Sequence, residues 1–277
     1  MNSFLHFHVT VPGASHIRKG AACQDFSKSV CFGDACAAAV ADGHGDIRYF
    51  RSGTGSRFAV EAALKALREF VSREESCCPP DGMDEKLNQL KKNMILNWNR
   101  KVARHLSVHP FTPDELAPLS ENRRANLTRG KWVESAYGTT LIAAAVTPAS
   151  WFGVQIGDGD CCAFRSDGTC ASVPKEPGLA GNVTTSLCEP DAIEKFHHFF
   201  EAGVPASVVM STDGVRNSFL SREHYRKFLR KIVSAFSAEP YRATKTNLRD
   251  FMAEMTEKGS GDDLSVAGMV SRGEPPA

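Results

Sequence analysis

Three times along the chain an apolar run with the look of a buried strand stops on an acid followed by glycine: Val40-Ala41-Asp42-Gly43, Val154-Gln155-Ile156-Gly157-Asp158-Gly159 and Val209-Met210-Ser211-Thr212-Asp213-Gly214. A fourth acidic pair, Asp262-Asp263, stands immediately before another apolar run. Two carboxylates about 4 Å apart repel by about 4 kcal/mol at the effective dielectric of a protein surface. Strand ends that gather such acids therefore call for a compensating cation, and a metal ion is the natural one. Asp-Gly is also an ordinary turn signal. Asp81-Gly82, in a proline-rich loop, and Asp167-Gly168, between two strand-like segments, read that way. Asp42, Asp158 and Asp213 differ in the unbroken apolar run before each and in the small residues Ala41, Gly157 and Thr212 beside them.

The elements that must carry these acids follow from periodicity. Residues 4–11 alternate as a strand, and 29–32 and 35–40, joined through Gly33-Asp34, form a hairpin. Val60, Leu64, Leu67 and Val71 mark one amphipathic helix, and Leu87, Leu90, Met94, Trp98 and Val102 mark a longer one. Between them Cys77-Cys78-Pro79-Pro80-Asp81-Gly82 reads as a loop. The pattern breaks over 109–132, although Thr112-Pro113-Asp114-Glu115 has the cap, proline and glutamate of a short helix start. Strand signals return at 138–146, 151–156, 161–164, 170–173 and 208–210, with another over 196–200. Two further helical stripes follow, Tyr225 to Phe236 and Leu248 to Met255, before a closing strand over 264–270.

This order predicts an α+β fold: a four-layer α-β-β-α sandwich, two largely antiparallel sheets face to face with a helical layer outside each. One domain over 1–270 suffices, with a surface insertion at about 107–134, a proline- and glycine-punctuated segment at about 174–190, and a frayed polar tail over 271–277.

Of 277 residues 42% are hydrophobic, enough for a substantial core, and 33 Lys and Arg balance 32 Asp and Glu. That balance argues against nucleic acid or an anionic membrane as the main partner. The N-terminal stretch has neither a basic start nor a long apolar run, and no run of about 18 apolar residues occurs. A cytoplasmic protein is expected, and its nine cysteines, with no paired CxxC, read as reduced and mostly buried thiols. Basic clusters such as Lys91-Lys92, Arg123-Arg124 and Arg226-Lys227 read as solvated helix faces.

Taken as a string, Ala41-Asp42-Gly43-His44-Gly45, Tyr137-Gly138-Thr139-Thr140, Gly157-Asp158, Ser211-Thr212-Asp213-Gly214 and Gly261-Asp262-Asp263-Leu264-Ser265 resemble, in that order, the motifs of the metal-dependent protein phosphatases (PPM, protein phosphatase 2C). Upstream, Ser15-His16, Gly20 and Cys23-Gln24-Asp25 resemble the bacterial form of the family's first motif. The resemblance implies a serine/threonine phosphoprotein phosphatase acting on phosphoserine or phosphothreonine in a protein substrate. It makes Asp42 the acid bridging two divalent cations, with the Gly43 carbonyl completing one site and Asp213 and Asp262 holding the other ion. Asp158 would help bind a third, weaker ion, and Asp25 would orient bound water from behind, next to Gln24. The donors are all oxygen, which favours Mn2+ or Mg2+ over zinc. Two such cations activate a bridging water for in-line attack on the phosphate, and His44 is the expected general acid toward the leaving oxygen. His197-His198, inside an apolar strand signal, reads as structural.

The chain departs from the family pattern in three places. Gln24 stands where an acid is common. Gly20 stands where an arginine that grips the phosphate is common, leaving Arg18, Lys19 or His16 to supply that charge. Asp263 replaces the usual asparagine and adds a negative charge expected to help retain a cation. These departures motivate the rival reading, a noncatalytic relative that keeps the fold and binds phosphoproteins. A nuclease-like two-metal reading lacks the aromatic residues interleaved with basic ones that it would need. The sequence carries no oligomeric signal.

Overall fold

A computed structural model describes residues 4–73, 82–179 and 184–271. The chain opens with β1 (Phe4–Val11), a short α1 (Ala14–Lys19), and the hairpin β2 (Phe26–Phe32) and β3 (Ala35–Ala41). Two long helices follow, α2 (Ser52–Arg73) and α3 (Met83–Val108), then the short α4 (Pro113–Leu116) and α5 (Glu121–Thr128). Next come β4 (Leu141–Val146), β5 (Ser150–Ile156), β6 (Asp160–Phe164), β7 (Cys170–Ser172), α6 (Ala192–Lys195), β8 (His197–Ala202) and β9 (Ser207–Ser211). The chain ends through α7 (Asp213–Asn217), α8 (Arg222–Ala238), α9 (Tyr241–Lys258) and β10 (Leu264–Ser271).

The strands form two five-stranded sheets, ordered β1-β10-β9-β6-β7 and β2-β3-β4-β5-β8. Every pairing is antiparallel. Alternation along each strand sorts side chains into three apolar layers. On β3, Cys36, Ala38 and Val40 face the other sheet, where they meet Ala163, Val208, Met210 and Met269. Ala37, Ala39 and Ala41 face α2 and α3. The first sheet turns Phe7, Val9, Val209 and Val266 outward against α8 and α9. The expected sandwich is the one found, and its three cores are the three interfaces between four layers.

Several short helices went unread because four to eight residues are too few to show a 3.6-residue stripe. α1, α5, α6 and α7 are of this kind. Where a local signal did exist it holds: Thr112 caps α4 by accepting from the Glu115 N–H, and the Glu115 side chain returns the bond. Asp167-Gly168 is a turn between β6 and β7, with Gly168 at φ 78° and Asp167 accepting from the Thr169 N–H. The expectation of reduced thiols needs correction. Cys31 and Cys36 are directly opposed on the β2–β3 hairpin and form a disulfide. Spacing alone concealed it, because the pair belongs to no multi-cysteine framework and is made adjacent by the turn. Cys77-Cys78 and most of the loop expected over 77–82, residues 180–183 of the segment over 174–190, and 272–277 of the tail lie outside the described residues. Among the described residues no helix is long and apolar enough to cross a membrane.

Candidate active site

The four acids converge because the two sheets present the same end to one cavity. Asp42 follows the last residue of β3, Asp158 stands between β5 and β6, Asp213 opens α7 just after β9, and Asp262 precedes β10. All four line a single cavity of about 460 Å³, together with Gly43, His44, Gln24, His16 and Asp263. Each sheet therefore contributes to the acid cluster.

The glycines after the acids have a packing reason. A β-carbon on Gly43 would sit 2.6 Å from the Gln24 carbonyl oxygen, and one on Gly159 would sit 2.7 Å from that of Ser211. On Gly214 it would collide with the Asp263 carbonyl. Only a residue without a side chain lets these backbones approach so closely. The motif around Thr139-Thr140 is a clamp on Asp42. Thr140 donates its N–H to the Asp42 carbonyl at 2.9 Å and accepts the Asp42 N–H on its hydroxyl at 3.0 Å, while the Thr139 hydroxyl donates to the same carbonyl at 2.8 Å.

The electrostatics are those of crowded, uncompensated acids. Burial, then the charges of Asp25 and Asp213, holds the Asp42 carboxyl well above the usual range. Asp25 is pushed up in the same way, by burial first, against the opposing hydrogen bond it accepts from the Thr212 hydroxyl at 2.8 Å. It lies behind the cavity wall and is not among the lining residues. Burial also raises Asp158, with Asp213 adding to it, although the Thr184 hydroxyl donates to Asp158 at 2.7 Å. Asp262 is open to the cavity, yet desolvation by the surrounding walls raises it too.

These residues fit a divalent-cation site by chemistry. The donors are oxygens and they are gathered in one cavity, and burial raises Asp42, Asp158 and Asp262 against their charged forms, a cost that a bound cation would offset. Among the described residues no three His, Cys, Asp or Glu side chains already stand as a finished cage.

His44 stands on the cavity wall, its N–H donating to the Gly138 carbonyl at 3.2 Å and its ring 4.7 Å from that of Tyr49, edge to face. Burial lowers its pKa to about 4, Asp158 opposing and Arg48 reinforcing the shift. Gln24 reaches the His44 carbonyl with its amide at 3.4 Å.

The three groups considered for phosphate binding are separated by the fold. Arg18 and Lys19 are exposed at the end of α1 and do not line the cavity. His16 does line it, but its Nδ1 is 3.0 Å from an Asp263 oxygen, close enough for charge pairing though not aligned as a hydrogen bond. Asp263 itself is buried, and its two oxygens accept the N–H groups of Gly13 at 2.5 Å and Gln24 at 2.6 Å. Asp263 thus fastens the N-terminal segment to the start of β10.

Sequence reasoning missed Arg48, Tyr49, Thr184, Ser186 and Glu189, which also line the cavity. Arg48 had a findable signal, a cation four residues after His44. Thr184 and Glu189 had none, since the segment that carries them has no regular pattern. His197 and His198 are away from the cavity, paired with Glu176 at 2.8 Å and Asp84 at 3.2 Å.

Comparison with known proteins points in one direction. The family model described as protein phosphatase 2C matches residues 12–253. Among solved structures, the serine/threonine phosphatase Stp1 from Staphylococcus aureus superposes with a TM-score of 0.60 at 14% identity, covering 99% of this chain and 96% of that one. PppA, a regulatory component of T6SS in Pseudomonas aeruginosa, gives 0.61 at 14% identity, covering 98% and 99%. The catalytic domain of the serine/threonine protein phosphatase PstP, in complex with two manganese ions, gives 0.54 at 13%, covering 96% and 97%. No curated protein matches in sequence.

Proposed function

Because the chain belongs to the protein phosphatase 2C family, we propose that it is a metal-dependent phosphatase that removes phosphate from phosphoserine or phosphothreonine in proteins. The observation that carries this reading is the convergence of Asp42, Asp158, Asp213 and Asp262, drawn from both sheets, on one cavity. Asp42, Asp213, Asp262 and the Gly43 carbonyl would hold two Mn2+ or Mg2+ ions, and Asp158 would assist a weaker third. When bound, such ions supply a water activated near neutral pH and neutralise the phosphate.

The remaining roles belong to the protein. Thr139 and Thr140 fix the Asp42 backbone, and Thr212 orients Asp25 from behind. Arg48, on the cavity wall with its guanidinium 5.4 Å from the Tyr49 ring centre, is the group we assign to the phosphate in place of the family's upstream arginine. Its partner, Asp46, is solvent-exposed at 2.8 Å, and an exposed pair of this kind is weak enough to be exchanged for a dianion. An arriving phosphate favours the protonated imidazole at His44, and His44 then passes that proton to the departing seryl or threonyl oxygen.

Hydrolysis of p-nitrophenyl phosphate and of a phosphothreonine peptide, with Mn2+ and with EDTA, tests the reading. Turnover that requires the metal is expected. Gln24, which brings no charge to the site, favours the noncatalytic alternative. A protein that binds the phosphopeptide but hydrolyses neither substrate under any metal would establish that alternative.

A further inference from the structure

Beside the catalytic cavity lies a second concavity of about 540 Å³, of different character. Its walls include Ile95 on α3, Trp132 at the end of the insertion, Leu187 and Pro190 from the segment leading into α6, and Ile193 on α6, with Arg123 at one side. The two concavities are joined. Glu189 lines both, and the Arg123 guanidinium donates to the backbone carbonyl of Arg48 at 3.2 Å.

Two features single this groove out as built for a ligand. Trp132 is the one residue other than glycine with positive φ among the described residues, at 58°, and the residue is 58% exposed. A bulky residue in the left-handed region is strained, and such strain gathers at functional sites. It is held there by its carbonyl, which accepts from the Ser135 N–H at 3.0 Å and the Ser135 hydroxyl at 2.6 Å, and Ser135 in turn accepts from Arg123 at 2.9 Å. The fold thus fixes an indole in an unfavourable backbone conformation and leaves it facing water. The second feature is the Nε of Arg123, which is buried and donates to nothing among the described residues. A buried donor without a partner is costly unless an acceptor arrives.

We propose that this groove is a substrate subsite: it takes one large apolar side chain of the phosphoprotein, carried on the stretch flanking the phosphorylated residue. The inference rests on the phosphatase reading above. The phosphorylated residue occupies the acidic cavity, and the neighbouring chain runs past Glu189. An aromatic or branched aliphatic side chain then packs between Trp132, Leu187 and Ile193. The Arg123 Nε donates to a carbonyl of the substrate backbone, which supplies the missing acceptor. Indole surfaces of this kind commonly dominate the energetics of recognition.

The test is a set of phosphothreonine peptides on an alanine-serine background, with one phenylalanine scanned through the flanking positions, assayed with Mn2+. At one or more positions phenylalanine should raise kcat/KM by about tenfold, mainly through KM. In Trp132→Gly, whose backbone suits the left-handed conformation, the ratio between the phenylalanine and all-alanine-serine peptides should fall close to one. Trp132→Phe should recover part of it. No phenylalanine preference at any position, or a preference that survives in Trp132→Gly, overturns the subsite while leaving the phosphatase reading standing. If the wild-type protein hydrolyses no peptide, the phosphatase reading fails, and calorimetric titration of the same peptides decides the groove. A phenylalanine-dependent gain in affinity that Trp132→Gly abolishes upholds it, and equal binding of all peptides overturns it.

Discussion

The two helix–sheet interfaces are packed on opposite plans. Where α8 and α9 cover the first sheet the contacts are large: Phe7 stacks on Phe236 at 4.2 Å, and Tyr225, Phe228 and Met252 fill the layer around them. Where α2 covers the second sheet they are small. The helix sets Ala59, Ala62, Ala63 and Ala66 toward a sheet whose β3 reads Ala-Cys-Ala-Ala-Ala-Val-Ala and whose β4 carries Ala143 and Ala145. Small side chains let backbones close in, and a β-carbon on Gly43 would already meet the Ser52 carbonyl at 2.9 Å. The alanine side fixes Asp42, Gly43 and His44 by backbone proximity. The aromatic side holds Asp213 and Asp262 by the bulk beneath them. One interface should therefore tolerate added volume poorly, and the other lost volume.

The largest expected effect tests whether both sides are needed. Asp42→Asn and Asp213→Asn should each lower metal-dependent turnover by orders of magnitude, without loss of thermal stability, because each also relieves acid crowding. A variant that keeps wild-type turnover would remove its sheet from the chemistry. Next in size, Phe236→Ala should cost about 3–5 kcal/mol in urea unfolding, with turnover per folded molecule little changed. Ala39→Leu, at a fully buried position under α2, should cost about 1–3 kcal/mol through overpacking. It should also depress turnover, because β3 leads directly into Asp42. If the two substitutions affected turnover equally, the contrast between the interfaces would lose its functional meaning.

The smallest effect concerns the seam where the two sheets meet at β1 and β2. The Nδ1 atoms of His6 and His8 both lie within hydrogen-bond distance of the Ser29 hydroxyl, at 2.9 and 3.0 Å. Burial, with Lys245 nearby, lowers both, His8 to about 4. The unfolded chain then takes up these protons first, so the stability they contribute is complete above about pH 6.5 and is lost as pH falls toward 4. For half-buried groups the loss should be below about 1 kcal/mol. His8→Gln should flatten this part of the stability profile between pH 7 and 5, and an unchanged profile would show that the seam does not titrate.

Much of the fold was legible because its signals are local and redundant. The stripes of α3, α8 and α9, the cap of α4 and the apolar runs of β3 to β5 each announce one element. The acid-glycine pairs announced strand ends, and the structure adds the neighbouring carbonyls that leave no room for a β-carbon at Gly43, Gly159 and Gly214. The groups around the acids were less legible. Arg48 stood four residues after His44, a signal that went unused beside Arg18 and Lys19. The disulfide between Cys31 and Cys36 depended on a hairpin register. That Asp263 accepts from the Gly13 and Gln24 N–H groups depended on segments 239 to 250 residues apart meeting.

Sequence by itself determined the strands and the long helices, their order, and which strand ends carry carboxylates, since apolar periodicity and turn chemistry act over a few residues at a time. Only the tertiary structure decided which charges share a cavity, that Asp263 fastens a backbone, and that Arg48 and Trp132 border neighbouring concavities. Those facts depend on how segments far apart in the chain close against each other. Electrostatic and packing energies vary with distance and burial in space, and separation along the sequence does not report either.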